Sequence, residues 1–142
     1  MKLQLPVVVM AGVALSGLER HVWEGYRVGE IRFQVFPASG AAQFPPMPRL
    51  RGNADEDFRW AVSAGRGTVV SWTVVHRPAN PDSPTPYAPA IVELDEGFQM
   101  LACVAGCDST ELRVGARVDV RFADASDGYR VPYFVPRGDG DG

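Results

Sequence analysis

Three residue types with distinctive chemistry are scarce in this 142-residue chain. Lys2 is the only lysine, so the basic residues are otherwise all arginine. Arginine-only usage fits either a particular base composition or anion recognition by planar guanidinium groups. There are two cysteines, Cys103 and Cys107, in LACVAGC. Two thiols make no disulfide framework, and C-x-x-x-C without a second ligand pair is half a metal site at most, so both read as ordinary thiols. There are two histidines, His21 and His76. With so few bases, a Ser or Cys nucleophile has little to pair with. Charge of one sign is also lacking: the net charge is −3, which excludes a broad field for nucleic acid or an anionic membrane. No apolar run reaches the roughly 20 residues of a membrane-spanning helix.

What is present reads as one domain with a small appendage, long enough to bury roughly two thirds of its unfolded surface. Glycine and proline are plentiful and dispersed, as in a β-rich fold with many turns. The opening MKLQLPVVVMAGVALSG joins one lysine to an apolar stretch and then small residues. It reads as a secretory leader with a thin basic region, a start assigned too early, or an extra strand. The rest of the chain reads as intracellular, and cytoplasmic localisation is the expectation.

Ser16 and Glu19 have capping-box spacing, and Leu18, Val22, Trp23 and Tyr26 follow at helical intervals up to Gly29. A helix is expected over 17–28. EIRFQVF (30–36) reads as a strand. PASGAAQFPPMPRLRGNADEDF is too rich in Pro, Gly and small residues to stay regular, and reads as a linker or a collapsed module. In GRGTVVSWTVVH, simple alternation puts Val70, Trp72, Val74 and His76 on one face. RPANPDSPTP is a proline-rich loop. YAPAIVELDEGFQMLACVAG reads as two strands around a turn at Asp95, Glu96 and Gly97, whose two acids read as solvated. Asp108 caps a helical turn with Glu111 three residues on. RVGARVDVRF places Val118, Val120 and Phe122 inward. GYRVPYFVP is a last strand that Pro132 restricts to an edge or a bulge. GDGDG reads as a disordered tail. Five short strands with a helical turn before the fourth suit a small closed barrel, with an OB-fold a leading candidate.

WEGYRVGEIRFQ, then FPP, GRGTVVSWTVVHRP, PYAPAIVELDEG and VGARVDVRF resemble the zinc-ribbon plus OB-fold proteins associated with acyl-CoA enzymes, long catalogued as a domain of unknown function. The resemblance covers residues 22–136. It implies a mainly β chain: an N-terminal extension (1–15), a helix with a degenerate rubredoxin-like ribbon (16–60), an OB-fold (61–137) and a tail (138–142). It also implies a thiolase-like partner or a hydratase of the hot-dog fold, with the OB-fold packed on the catalytic subunit and helping to form the acyl-CoA passage. The family usually carries two C-x-x-C pairs that hold tetrahedral zinc. Their positions fall here at Phe36, Ser39, Leu50 and Asn53, none a thiolate. No metal and no cofactor are expected. Phe36, Leu50 and Phe44 are expected to form an apolar cluster in place of the metal, or the segment to order against a partner.

No catalytic centre is legible. GRG at Gly65 is a turn into a strand, without the following helix of a phosphate-binding loop. His21 reads as a surface or docking residue. The expected partner- or CoA-binding edge is Trp72, His76, Arg77 and Tyr87, flanking the proline-rich loop; the expected docking helix presents Trp23 and Tyr26. The competing reading is a single-strand nucleic-acid-binding OB-fold, with Trp72, Tyr129, Tyr133 and Phe134 as stacking aromatics.

Overall fold

The structure is a computed structural model describing residues 1–8, 10, 15, 17–47 and 57–138. Ser16, Leu50, Asn53 and residues 139–142 therefore lie outside the described residues, and with them the expected capping residue, two of the four positions where lost zinc ligands are expected, and the expected tail.

Helix α1 (Gly17–Arg27) buries Val22 and Tyr26, four residues apart and so on one face. It stops because Gly29 takes a left-handed conformation at φ 83°. The Gly29 N–H donates to Tyr26 O (3.1 Å) and the Glu30 N–H to Gly25 O (2.8 Å), which together satisfy two otherwise orphaned carbonyls. Arg32 crosses over the bare Cα of Gly25 and donates to His21 O (3.1 Å), tying the helix to the next strand.

That strand, β1 (Arg32–Phe36), is the centre of a three-stranded antiparallel sheet with β2 (Ala41–Gln43) and β3 (Arg59–Val62). Strand β1 is the one expected over 30–36, and the stretch expected to be a linker or a collapsed module contributes β2 to the same small sheet. Its polar hinge is Gln34, fully buried, whose amide donates to Met47 O (2.6 Å) and accepts from Met47 N–H (2.9 Å). Burying that amide is tolerable only because both ends are matched. Phe36 is fully buried with Phe58 beside it (centroids 5.8 Å apart). Phe44 turns to Phe98, as does Phe33, at 5.7 and 4.7 Å. The expected cluster of Phe36 with Phe44 is thus divided: Phe36 stays within the sheet, and Phe44 and Phe33 fix it to the barrel.

Among the described residues no group of three His, Cys, Asp or Glu is placed to hold a metal. At Phe36 and Ser39, two of the positions where the resemblance expects lost zinc ligands, stand a buried ring and a turn serine. We expect elemental analysis of the purified chain to find essentially no zinc. A content near one zinc per chain that survives chelator would contradict this.

Five strands close the barrel: β4 (Arg66–Trp72), β5 (Ala88–Leu94), β6 (Gln99–Val104), β7 (Arg117–Asp124) and β8 (Arg130–Pro136), in the order β4-β5-β6-β8-β7 with β7 returning to β4. All neighbours are antiparallel except β6 and β8, which meet in parallel at Val104 and Phe134. A 3-10 turn over Ser109–Glu111 joins β6 to β7. It is capped as expected: Asp108 accepts from Thr110 N–H (3.1 Å), and its own N–H donates to Glu111 (3.2 Å). This order, with one parallel contact and a helical turn before the fourth strand, is an OB-fold. Val69, Val92, Val104, Val118 and Phe134 are fully buried inside it. Pro132 lies where β8 pairs with β7 alone, the one-sided pairing its missing N–H demands.

Two glycines make the closure possible. A Cβ on Gly67 would lie 2.6 Å from the Glu93 carbonyl, a backbone atom that cannot move aside. Gly65 is left-handed (φ 75°), and a Cβ there would collide with Val120 Cγ1. The acids of the β5–β6 turn are not merely solvated. Asp95 forms a two-pronged pair with Arg117 (2.7 and 2.8 Å), and Glu96 accepts from Ser63 Oγ (2.6 Å) and Ala64 N–H (2.8 Å). They fasten the turn to β7 and to the β3–β4 junction.

Candidate functional site

The β4–β5 connection decides the shape of one end of the barrel. A bulge between Val69 and Ser71 breaks the alternation of β4. Val69 is fully buried and Val70 is 38% exposed, but Trp72 pairs with buried Ala90 and packs on the core together with Val74. Simple alternation from Val70 to His76 therefore fails: one extra residue rotates the remainder of the strand onto the other face. Beyond Trp72 the hairpin narrows to a neck where Val75 and Tyr87 exchange two backbone hydrogen bonds (2.8 and 3.2 Å). His76 and Arg77 lie exposed just outside the neck, and Tyr87 is half-buried in it. The structure thus gathers His76, Arg77 and Tyr87 at the loop mouth and sets Trp72 behind them, in the wall of the barrel.

The loop itself, 76–86, is held from the other side by the N-terminal segment. Gln4 N–H donates to Pro86 O (2.8 Å), and Val7 N–H to the hydroxyl of buried Ser83 (3.0 Å). The same segment pairs with the end of β6 through Leu3 N–H to Cys107 O (2.7 Å), with the Leu3 side chain buried in the core. It then reaches the β7–β8 loop, where Ser126 N–H donates to Val8 O (3.3 Å) and Ser126 Oγ accepts from Met10 N–H (2.6 Å). The β4–β5 and β7–β8 connections are the two loops between which OB-folds commonly take oligonucleotides. Here a strand-like stretch of the chain ties them together. Nothing in the sequence pattern distinguished this role from a leader or an extension, because the segment uses its own backbone groups and its partners lie far along the chain.

Trp23 and Tyr26 are turned toward the chain's own barrel. Tyr26 is buried near Phe122 (6.3 Å), and Trp23 sits edge-on between Tyr26 (5.1 Å) and Tyr129 (5.8 Å). Burial pushes the Tyr26 phenol well above its ordinary pKa. The helix therefore docks internally through these two rings. His21 is half-buried and lies against Trp60 at 4.4 Å; burial, then nearby Arg32, lower its pKa and favour the neutral ring.

The outer face of β5 and β6 is a surface that sequence reading missed. Ile91 and Leu101 stand opposite each other, as do Pro89 and Cys103, and Leu101 is 68% exposed. In the sequence Leu101 looks like one more apolar strand residue. Only the register shows that its neighbour Met100 points in and Leu101 out.

No nucleophile–base pair is assembled among the described residues. Among the described residues neither histidine hydrogen-bonds to a serine, threonine or cysteine. Burial raises the pKa of both thiols, which leaves them protonated and poorly nucleophilic near neutral pH. Phe134 is fully buried and cannot stack on a base, which removes one of the four aromatics on which a nucleic-acid reading would rest.

Residues 60–123 match the family described as ChsH2, C-terminal OB-fold domain. A chain of the Ltp2-ChsH2(DUF35) aldolase superposes on 87% of this chain and 98% of its own length, with a TM-score of 0.79 and 26% identity. Over its barrel the chain is similar to the ChsH2 C-terminal OB-fold family. The chain is 35% identical over 105 residues to the 3-oxo-4,17-pregnadiene-20-carboxyl-CoA hydratase alpha subunit of Mycobacterium tuberculosis, covering 74% of this chain and 33% of that protein. It is 28% identical over 107 residues to a DUF35 domain-containing scaffold protein of Methanocaldococcus jannaschii, covering 72% of each. The chain thus spans about a third of the length of that hydratase subunit. A DUF35-family protein of unknown function from Sulfolobus solfataricus, 11% identical with a TM-score of 0.62, shares the fold. Among the described residues no helix is long and apolar enough to cross a membrane.

Proposed function

We propose that this ChsH2-type OB-fold chain is a non-catalytic accessory subunit of an acyl-CoA enzyme. The observation that carries the reading is the match over nearly the whole of a chain from the Ltp2-ChsH2(DUF35) aldolase. Two further relatives, a CoA-ester hydratase subunit and a scaffold protein, point the same way. The absence of an assembled nucleophile and base among the described residues is consistent with a supporting role. The finer reading is a thiolase-like catalytic partner, with a hot-dog-fold hydratase as the alternative. The chain would pack on that subunit and help to line the acyl-CoA passage.

Two surfaces suit such a partner. The first is the loop mouth of His76, Arg77 and Tyr87, backed by Trp72. The loop is anchored by the N-terminal segment and stiffened by its prolines, so docking would cost little ordering entropy. Arg77 is free to meet a phosphate or a carboxylate, and Tyr87 offers an apolar ring with one polar tip. The second is the apolar outer face around Leu101 and Ile91, which the catalytic subunit would cover. Trp23 and Tyr26 contribute by setting the angle of α1 on the barrel.

Single-strand nucleic-acid binding, the other common use of this fold, is disfavoured. The net charge is −3, and the chain's own Gln4, Val7, Val8 and Met10 bond to the two loops that would hold the strand. The test is capture of the tagged full chain from its native extract, with bound proteins identified by mass spectrometry. We expect a thiolase-like or hydratase subunit in stoichiometric amount. Recovery of nucleic acid with no acyl-CoA enzyme would reverse the ranking.

A further inference from the structure

On the side of the barrel formed by β4, β7 and β8, the outward residues are of a different kind. Arg66 of β4 stands opposite Asp119 of β7, Arg121 comes two residues along, and Arg137 lies just past the end of β8. Together with Gly65 and Val120 they line a cleft of about 470 Å³. Arg137 is held in place: its Nη2 donates to Asp119 Oδ1 at 3.0 Å and its Nε reaches Oδ2 at 3.5 Å. Arg121 spends one N–H on the neighbouring Val120 carbonyl (2.8 Å), and the rest of its guanidinium faces outward. Arg66 makes no side-chain hydrogen bond or ion pair among the described residues and is exposed. Three guanidinium groups thus line the cleft with one carboxylate, while Asp95, within electrostatic reach of Arg66 and Arg137, is already taken two-pronged by Arg117, in a chain whose overall charge is −3. Glu96 approaches the rim through its bond to Ala64, but its two oxygens are already used by Ser63 Oγ and Ala64 N–H. The floor stays open because Gly65 carries no side chain, and a Cβ there would collide with Val120.

We propose that this cleft binds a phosphate group, with Arg66 and Arg121 as the capturing cations and Arg137, fixed by Asp119, as the preset one. Planar guanidinium forks match phosphate oxygens two at a time, and an anchored fork needs less ordering than a free one. Two outward-facing cations beside an anchored third leave a local surplus that a dianion would neutralise. The inference is independent of the acyl-CoA reading, since it concerns the isolated chain and residues outside the 76–86 loop.

The experiment is an NMR titration of the full-length chain at low salt with two probes, sodium phosphate and adenosine 3′,5′-bisphosphate. We expect saturable shifts centred on the amides of Gly65, Val120 and Arg121. Tighter binding of the nucleotide would assign the site to a phosphate ester; equal binding would assign it to free phosphate. Arg66→Ala and Arg121→Ala should each weaken binding about tenfold, the scale of one charge-assisted hydrogen bond. Arg59→Ala, exposed on the separate three-stranded sheet, should leave it unchanged. Both cleft residues are exposed, so an unchanged thermal midpoint should show that these variants remain folded. Absence of saturable shifts with both probes, or shifts that survive both substitutions in folded protein, would overturn the proposal and leave an ordinary solvated arginine face.

Discussion

Phe134→Ala should lower the unfolding free energy by about 3–5 kcal/mol, the range for removing a buried aromatic ring. Phe134 is fully buried and stands where the barrel is most thinly joined. It faces Val120 of β7 on one side and is the only residue through which β8 registers with β6, at Val104. Its carbonyl also accepts from Ala105 N–H (2.9 Å). Removing the ring empties the centre at the point where the parallel pair closes the cylinder. Domains of this size are typically stable by about 5–15 kcal/mol, so the loss is a large share of the total. Phe134→Leu, which keeps most of the volume, should cost much less. Urea unfolding of the three proteins measures it. A loss below about 1 kcal/mol for the alanine variant would mean that the barrel is not closed through this contact.

The second large effect concerns binding and rests on the proposed function. The triple change His76→Ala, Arg77→Ala and Tyr87→Ala should weaken capture of the catalytic subunit by about 30-fold or more, the effect of losing one interface hot spot of about 2 kcal/mol. Tyr87 and Arg77 belong to the residue types most often dominant in interfaces. The backbone bonds between Val75 and Tyr87 do not involve the altered side chains, so the neck should survive. His76 and Arg77 are exposed and contribute little to the core. If the folded triple variant captured the partner as well as the unaltered chain, the interface would lie on the Leu101 face instead. Leu101→Glu is the corresponding change there.

Much of this architecture was legible in the residues. The apolar spacing and Gly29 marked α1 to within a residue of its end, and alternation put Val118, Val120 and Phe122 on the inner side of β7. Asp108 and Glu111 announced their turn because capping is local chemistry. What escaped depends on groups distant in sequence. The bulge at Val70 rotates Trp72 inward, and only its pairing with β5 reveals it. Strand β1 was legible, but its partner β2 was hidden in a Pro- and Gly-rich stretch tied to the buried Gln34 amide and to Phe98 of the barrel. The clamp formed by residues 3–10 uses backbone groups, which carry no side-chain signal. The loop-mouth residues were nominated from loop length and composition. The structure brings His76, Arg77 and Tyr87 together, while their role remains the subject of the binding test.

The central claim is that the chain supports catalysis without performing it. Its most direct test is acyl-CoA turnover measured for the chain alone, for the captured catalytic subunit alone, and for the two recombined. The account predicts no turnover by the chain alone, and turnover by the catalytic subunit that rises when the chain is restored. Turnover by the isolated chain, abolished by a single substitution within it, would contradict the account.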